Sequence, residues 1–473
     1  MKTNDQTVHI LNAELLDSDG KTRLTNATIA GSQFIETTGH PILEDGSTII
    51  DAKGNLLIPG LHDHHTHLIA YAASLVSINC GPPGVVSEAD LKSALRGQPG
   101  HHWLRGTGYH ESVTGHLDRQ WLDAWAPDRP IRVQHRSGRL WIVNSPGMEM
   151  IANAALSLAP HERDRLTSED GRLYDVDELL GNLTRSDIPP VKLASQQLAA
   201  FGVTGINDMT PSNNAETWQW FSELQVSQDL LQKVRMSGRP ALIDCRQTPR
   251  LSVGETKVHL HDSSLPDFDD FVSTITESHE KQRNVAVHCV TEVELVYTLS
   301  AFRSASTLAG DRIEHASVIP PALIEQLYVL GLNVVTQPNF VHERGDAYLK
   351  DIPMTDHAFL YRTNSLMLAG VPTAFGTDLP FGQPDPWAAM DAATKRTTSS
   401  GHLLNEAECI TPESALNGFL GELSAPSSIR SITPGAPADC CLLDAPWHVL
   451  RNDLSSAHVL MTIRDGELIY SRD

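Results

Sequence analysis

Between about residue 56 and residue 430 the chain repeats one unit, a short apolar strand followed by an amphipathic helix. Strand-like runs stand at Leu56-Leu57-Ile58, Gly202 to Asp208, Lys233 to Met236, Lys257 to His261, Val285 to His288, Arg312 to His315, Asn333 to Gln337 and Pro372 to Asp378. Helical stretches such as Ala322 to Leu330 lie between most of them. Strands joined by helices pair in parallel, and eight is the number that closes a barrel. An open doubly wound sheet is the alternative, but no glycine-rich phosphate loop follows the first strand. The expected fold is α/β, a (β/α)8 TIM-like barrel.

Both ends of the chain read differently. Val8 to Leu11, Ala27 to Ala30 and Ser47 to Ile50 are short apolar pieces separated by turns at Asp19-Gly20, Gly31-Ser32 and Asp45-Gly46. Ala438 to Asp444, Ala457 to Ile463 and Glu467 to Tyr470 repeat that character. Neither end can bury its apolar face alone. A small β-sandwich domain shared by residues 1–55 and 431–473 solves this for both. The barrel then takes residues 56–80 and 189–430. Residues 81–188, with a strand pair at Ile131 to Gln134 and Leu140 to Val143, form an insertion after the first barrel strand, expected to cover the substrate.

Chemistry-bearing residues sit at the strand ends. In Pro59-Gly60-Leu61-His62-Asp63-His64-His65-Thr66-His67, His65 and His67 are two apart, so an extended chain points both to one face. Imidazoles paired this way form half of a metal site. His288, His315 and Asp378 end later strands, and in such a barrel all strand C-termini meet at one rim. Lys257 has two readings: a carbamate formed with CO2, able to bridge two metals, or an ion pair with a residue such as Asp262.

Lys and Arg total 36 against 58 Asp and Glu, a formal charge of −22, which excludes the basic faces needed for nucleic acid or an anionic membrane. The expected partner is a small-molecule substrate, with homo-oligomer formation left open. The start of the chain lacks the apolar core of a signal peptide, no run approaches a membrane span, and six Cys form no dense framework. A cytoplasmic protein is expected.

The His-rich stretch at 59–67, Ile313-Glu314-His315-Ala316 and Gly376-Thr377-Asp378-Leu379-Pro380 together resemble the amidohydrolase superfamily, and the resemblance runs nearly end to end, through Pro434 to Asp439. Gly106 to Glu111, Trp141 to Ser145, Gln337-Pro338 and Tyr361-Arg362 resemble the branch containing N-substituted formamide deformylases. The resemblance implies His65 and His67 on a first metal with Asp378. It implies His288 and His315 on a second, a carboxylated Lys257 as bridge, and zinc as the ion, one or two per site. Arg139, where many members have histidine, and His261, in place of an aspartate four residues after the lysine, depart from the pattern. His110, Arg139, Trp141, His261 and Gln337 are the expected substrate-binding residues.

The expected activity is hydrolysis of a C–N bond other than a peptide bond, in an amide, formamide or cyclic amide, with Asp378 moving the proton. A mononuclear deaminase of a small heterocycle, with Lys257 unmodified and Glu292 or His315 shuttling protons, is the nearest rival. A metal-dependent decarboxylase stands further off.

Overall fold

The computed structural model describes residues 7–17, 20–38, 46–82, 84–96, 102–184 and 189–472. Asp19, Asp45 and the expected insertion boundary at Ile188 lie outside them. The chain divides into two compact units, Met1–His67 with Lys192–Asp473, and Leu68–Val191.

In the first unit eight strands pair in parallel in sequence order: β1 Leu61–Thr66, β2 Val203–Asp208, β3 Lys233–Gly238, β4 Leu251–His259, β5 Val285–Cys289, β6 Arg312–His315, β7 Asn333–Thr336 and β8 Thr373–Phe375. The ring closes beyond β8, where the Asp378 amide donates to the His65 carbonyl (2.9 Å) and the His67 amide to that of Leu379 (3.0 Å). Alternation along each strand sorts the side chains. Val285, Val287, Cys289, Ile313 and Val334 point outward into one core with Phe271, Ile275, Leu295, Leu299, Phe302 and Leu327 of the covering helices. Ala286 and His288 of β5, and Arg312 and Glu314 of β6, therefore face the barrel interior.

Contact between β1 and the end of β8 depends on Gly376. A Cβ there would stand 2.5 Å from both the amide nitrogen and the Cβ of His65, so any side chain pushes the strands apart. Gly376→Ala is expected to cost about 1–3 kcal/mol of stability, the usual range for overpacking, and to lower metal content as His65 moves. Urea unfolding and elemental analysis read the two effects separately.

The terminal segments share one mixed sheet. Its order is Glu467–Ser471, Val459–Arg464, Cys440–Leu443, Leu56–Pro59, Val8–Leu16, Thr22–Ala30 and Gln33–Thr38, with Thr48–Asp51 also paired to Val8–Leu16. Ile10, Leu57, Cys440, Leu442 and Ile463 meet in its core. One expectation is corrected here. Leu56-Leu57-Ile58 belongs to this sheet, antiparallel to Cys440–Leu443, and is not the first barrel strand. The chain changes sheets at Gly60, where a Cβ would meet the Thr204 side chain at 2.3 Å. Two short buried strands separated by one glycine look like a single strand in sequence.

The second unit holds a five-stranded sheet ordered Arg172–Tyr174, Leu140–Val143, Ile131–His135, Leu104–Tyr109 and Ile78–Asn79, with Val133 opposite Ile142 in the expected pair. Two-residue length hides Ile78–Asn79 from a periodicity reading, and Gly106 and Gly108 interrupt Leu104–Tyr109. Among the described residues no helix is long and apolar enough to cross a membrane, and all six cysteines are free thiols.

Candidate metal centre

His65, His67, His315 and Asp378 converge at the C-terminal rim of the barrel. The His65 ring lies 5.3 Å from that of His67 and 4.7 Å from that of His315, between centroids. Asp378 Oδ1 stands 3.6 Å from His65 Nε2 and 3.3 Å from His67 Nε2, and Oδ2 stands 4.0 Å from His315 Nδ1. His288 joins from β5, its ring 4.5 Å from that of His315.

Two of these residues reach the site through unusual backbone. Strict alternation would turn His315 outward behind Ile313. A left-handed turn at His315 (φ 68°) and Ala316 (φ 47°) redirects the chain, so that Glu314 and His315 both serve the site. Asp378 is also left-handed, at φ 57°. Such conformations cost non-glycine residues about 1–3 kcal/mol each and persist where the surrounding contacts hold them. Asp63 supplies such contacts. Its carboxylate accepts from Thr377 Oγ1 (2.5 Å), Thr377 N (3.0 Å) and His65 N (3.2 Å), joining β1 to the segment that carries Asp378. Burial pushes the Asp63 pKa up to about 7 against those hydrogen bonds.

Second contacts set the imidazole tautomers. His65 Nδ1 lies 2.5 Å from Glu314 Oε2, and a carboxylate only accepts, so Nδ1 carries the proton and Nε2 presents a lone pair. His315 Nδ1 likewise donates to Gln337 Oε1 at 2.7 Å. His67 Nδ1 meets the Thr210 hydroxyl at 3.0 Å. Glu314 is itself held by Arg312, whose Nε binds Oε1 and whose Nη2 donates to the His64 carbonyl. Burial would raise the Glu314 pKa, but Arg312, Lys257 and His65 bring it well below the usual carboxylate range. Burial lowers the His65 pKa to about 3, so its imidazole is neutral. Burial would raise the Asp378 pKa, but the adjacent His65, His67 and His315 bring it below the usual carboxylate range.

The donor set fits a divalent cation. Ligand atoms of His65, His315 and Asp378 all lie within 4.8 Å of one another, each residue buried. Asp378 Oδ1 is buried without a hydrogen bond, although imidazole nitrogens stand within 3.6 Å. His65 Nε2 turns a lone pair toward this oxygen, and a cation between the two would turn their repulsion into coordination.

The Lys257 side chain is buried and its Nζ is without a hydrogen-bond partner, so the ion pair with Asp262 does not form. Burial lowers its pKa to about 8. His259, two residues on and so on the same face of β4, places its ring 4.2 Å from His288 and 4.5 Å from His261. Gln337 Oε1 is occupied with His315, and its buried Nε2 has no hydrogen-bond partner. The remaining substrate candidates belong to the second unit. There Trp141 is in the core and donates to Asp177, Arg139 makes a two-point ion pair with Asp175, and His110 Nδ1 caps a turn at the Ser112 amide.

Sequence reading passed over Glu314, Asp63 and His259 as site components. The available signal was periodic. Arg312 and Glu314 are charges two apart on one face of a buried strand, and Asp63 and His259 keep the same spacing from His65 and Lys257.

The Amidohydrolase family model matches residues 48–470. The N-substituted formamide deformylase of Arthrobacter pascens is 23% identical over 98% of this chain and 98% of its own. The putative amidohydrolase YtcJ of Bacillus subtilis is 23% identical over 92% of each. An uncharacterized metal-dependent hydrolase from Pyrococcus horikoshii shares the fold, with a TM-score of 0.77 over 96% of this chain and 100% of its own, at 20% identity. With a match that spans the barrel, the insertion and the C-terminal strands of the terminal sheet, this chain belongs to the Amidohydrolase family.

Proposed function

We propose that the protein hydrolyses a C–N bond in a small non-peptide amide, formamide or cyclic amide, with zinc held by His65, His67, His288, His315 and Asp378 and with Lys257 carboxylated between two ions. The observation that carries this reading is the convergence of the buried His65, His315 and Asp378, with Asp378 Oδ1 facing the His65 Nε2 lone pair. The relative named as a deformylase supports the class of bond. Six unpaired thiols support a cytoplasmic setting.

A bound divalent cation supplies a more acidic water and a polarised carbonyl. The chain's own residues do the rest. Glu314 and Gln337 fix the His65 and His315 rings by holding their Nδ1 protons. Asp378, ionised at neutral pH, takes the proton of the attacking water. Asp378, beside both His65 and His67, would then deliver that proton to the leaving nitrogen.

Asp378→Asn removes the base while keeping the shape. Zinc-loaded wild-type protein, screened against N-acyl amines, formamides, lactams and aminopyrimidines, is expected to release an amine and to place labelled water oxygen in the acid product. The variant should lose roughly 10²–10⁴ of that rate, the usual worth of a positioned acid–base group. Turnover confined to aminopyrimidines would sink the amide reading, and an undiminished rate in Asp378→Asn would remove Asp378 from the proton path.

A further inference from the structure

The helix Asn339–Asp351 carries Phe340, Arg344 and Tyr348 four residues apart, so the three form one stripe along it. The Arg344 guanidinium lies over the Phe340 ring, Cζ 3.8 Å from its centroid, and its Nη2 donates to the Phe381 carbonyl. That contact puts Arg344 beside the metal ligands. The Phe381 ring meets His67 edge-on at 5.4 Å, and the amides of Phe381 and Gly382 donate to the Asp378 carbonyl at 2.7 and 3.0 Å.

Arg344 makes no ion pair among the described residues. Among the described residues no carboxylate comes within ion-pair distance of it, whereas Arg235, Arg312 and Arg362 pair with Glu255, Glu314 and Glu408. Glu343 next to it is engaged elsewhere, accepting from Asn339 Nδ2 (3.0 Å) and the Gln383 amide (3.1 Å). A partly buried guanidinium without an anion is an incomplete arrangement in a chain of net charge −22.

Tyr348 completes the feature. Ser317 Oγ donates to the Tyr361 hydroxyl at 3.1 Å, and the Tyr361 and Tyr348 hydroxyls are 3.1 Å apart. With Tyr361 accepting from Ser317 and donating to Tyr348, the Tyr348 proton is free for a further acceptor. The chain Ser317–Tyr361–Tyr348 starts two residues after His315. Its middle member is held in place by Arg396, which donates to the carbonyls of Leu360 and Tyr361.

We propose that the Arg344 guanidinium and the Tyr348 hydroxyl form a carboxylate-binding subsite beside the metal ligands, so that the amide hydrolysed by this protein carries a carboxylate. This rests on the C–N hydrolase reading above and narrows its substrate class. A planar guanidinium edge matches a carboxylate in two-point geometry, and a phenol proton adds a third contact. Burial opposes the charge on Arg344, but Tyr348, Tyr361, Asp378 and Glu343 raise its pKa overall, so the cation is retained.

The test is a matched panel of N-formyl and N-acetyl amino acids, each offered as free carboxylate and as primary carboxamide, with the zinc-loaded full chain. The carboxylate member of each pair should have the larger kcat/KM by on the order of ten- to a hundredfold, the worth of hydrogen bonds to a charged group. Arg344→Gln should bring that ratio to near one. Arg344→Lys should keep part of it, and Tyr348→Phe, which removes one hydroxyl, should lower it several-fold. Carboxamides turned over as well as carboxylates, or a ratio unchanged in Arg344→Gln, would overturn the subsite. Calorimetric binding of the same pairs distinguishes the two readings. If no compound of the panel is hydrolysed, and none of the wider amide, formamide and lactam screen either, the C–N hydrolase reading fails, and carboxylate-selective binding lost in Arg344→Gln still upholds the subsite. Equal binding of carboxylate and carboxamide sinks it.

Discussion

Lys257→Ala is expected to lose most of its bound metal and nearly all activity. Imidazole ligates a cation in its neutral form, so two dications held there would be offset only by Asp378 and whatever the lysine becomes. Without an anionic bridge their repulsion amounts to roughly ten kcal/mol or more at a protein-like effective dielectric. The unmodified ammonium would add to it, and carboxylation reverses its sign. Burial without a hydrogen-bond partner, and a pKa lowered by that burial to about 8, leave a neutral amine available to CO2. Two centrally important outcomes follow for the metal-free protein. Bicarbonate should speed zinc uptake, and uptake should improve as pH rises through about 8, because at pH 6 only about one amine in a hundred is neutral. Lys257→Ala should recover partly in acetate or propionate, which can occupy the vacated space, and Lys257→Arg should not, because its cation is fixed. Full metal content and turnover in Lys257→Ala would exclude the bridge and leave a one-metal site, the condition of the deaminase alternative.

The second large effect concerns Glu314, a residue that need not touch any ligand. It lies in the barrel interior between Arg312 and His65, with neither partner exposed. Arg312 Nη1 already lacks a hydrogen bond. Glu314→Ala leaves the rest of that guanidinium buried with Glu255 as its remaining charge partner, and breaking a buried pair in this way costs about 3–5 kcal/mol. Against a typical domain stability of about 5–15 kcal/mol, the metal-free variant should unfold at much lower urea. Glu314→Gln keeps an acceptor for His65 Nδ1 but not the charge. It should fold, and bind metal about 10–100-fold more weakly, the usual effect of losing a carboxylate behind a ligating histidine. If metal-free Glu314→Ala unfolded within about 1 kcal/mol of wild type, Arg312 would have to be reaching water, contrary to its burial.

The barrel was legible because its outward faces are regular. Val285, Val287 and Ile313 alternate with inward residues as a buried parallel strand requires, and helix signals such as Gly331 after Pro321–Leu330 mark the returns. The polar filling of this barrel was not legible in the same way. Glu255, Arg312 and Glu314 occupy positions usually held by branched apolar residues, and single-strand periodicity does not say which charges will meet.

The sequence alone determined which residue types stand at which strand ends, because the period of two and the strand–helix alternation are local properties of the chain. His65, His67, His288, His315 and Asp378 could be picked out on that basis. Tertiary structure decided the rest. The division of Leu56–Pro59 from β1 depends on Gly60 passing Thr204, 144 positions later in the chain. The inward turn of His315 depends on a left-handed backbone that its own strand pattern opposes. The tautomers of His65 and His315 depend on Glu314 and Gln337, brought to them by closure of the barrel. Each of these is set by contact between distant segments, and a single segment carries no record of what will be packed against it.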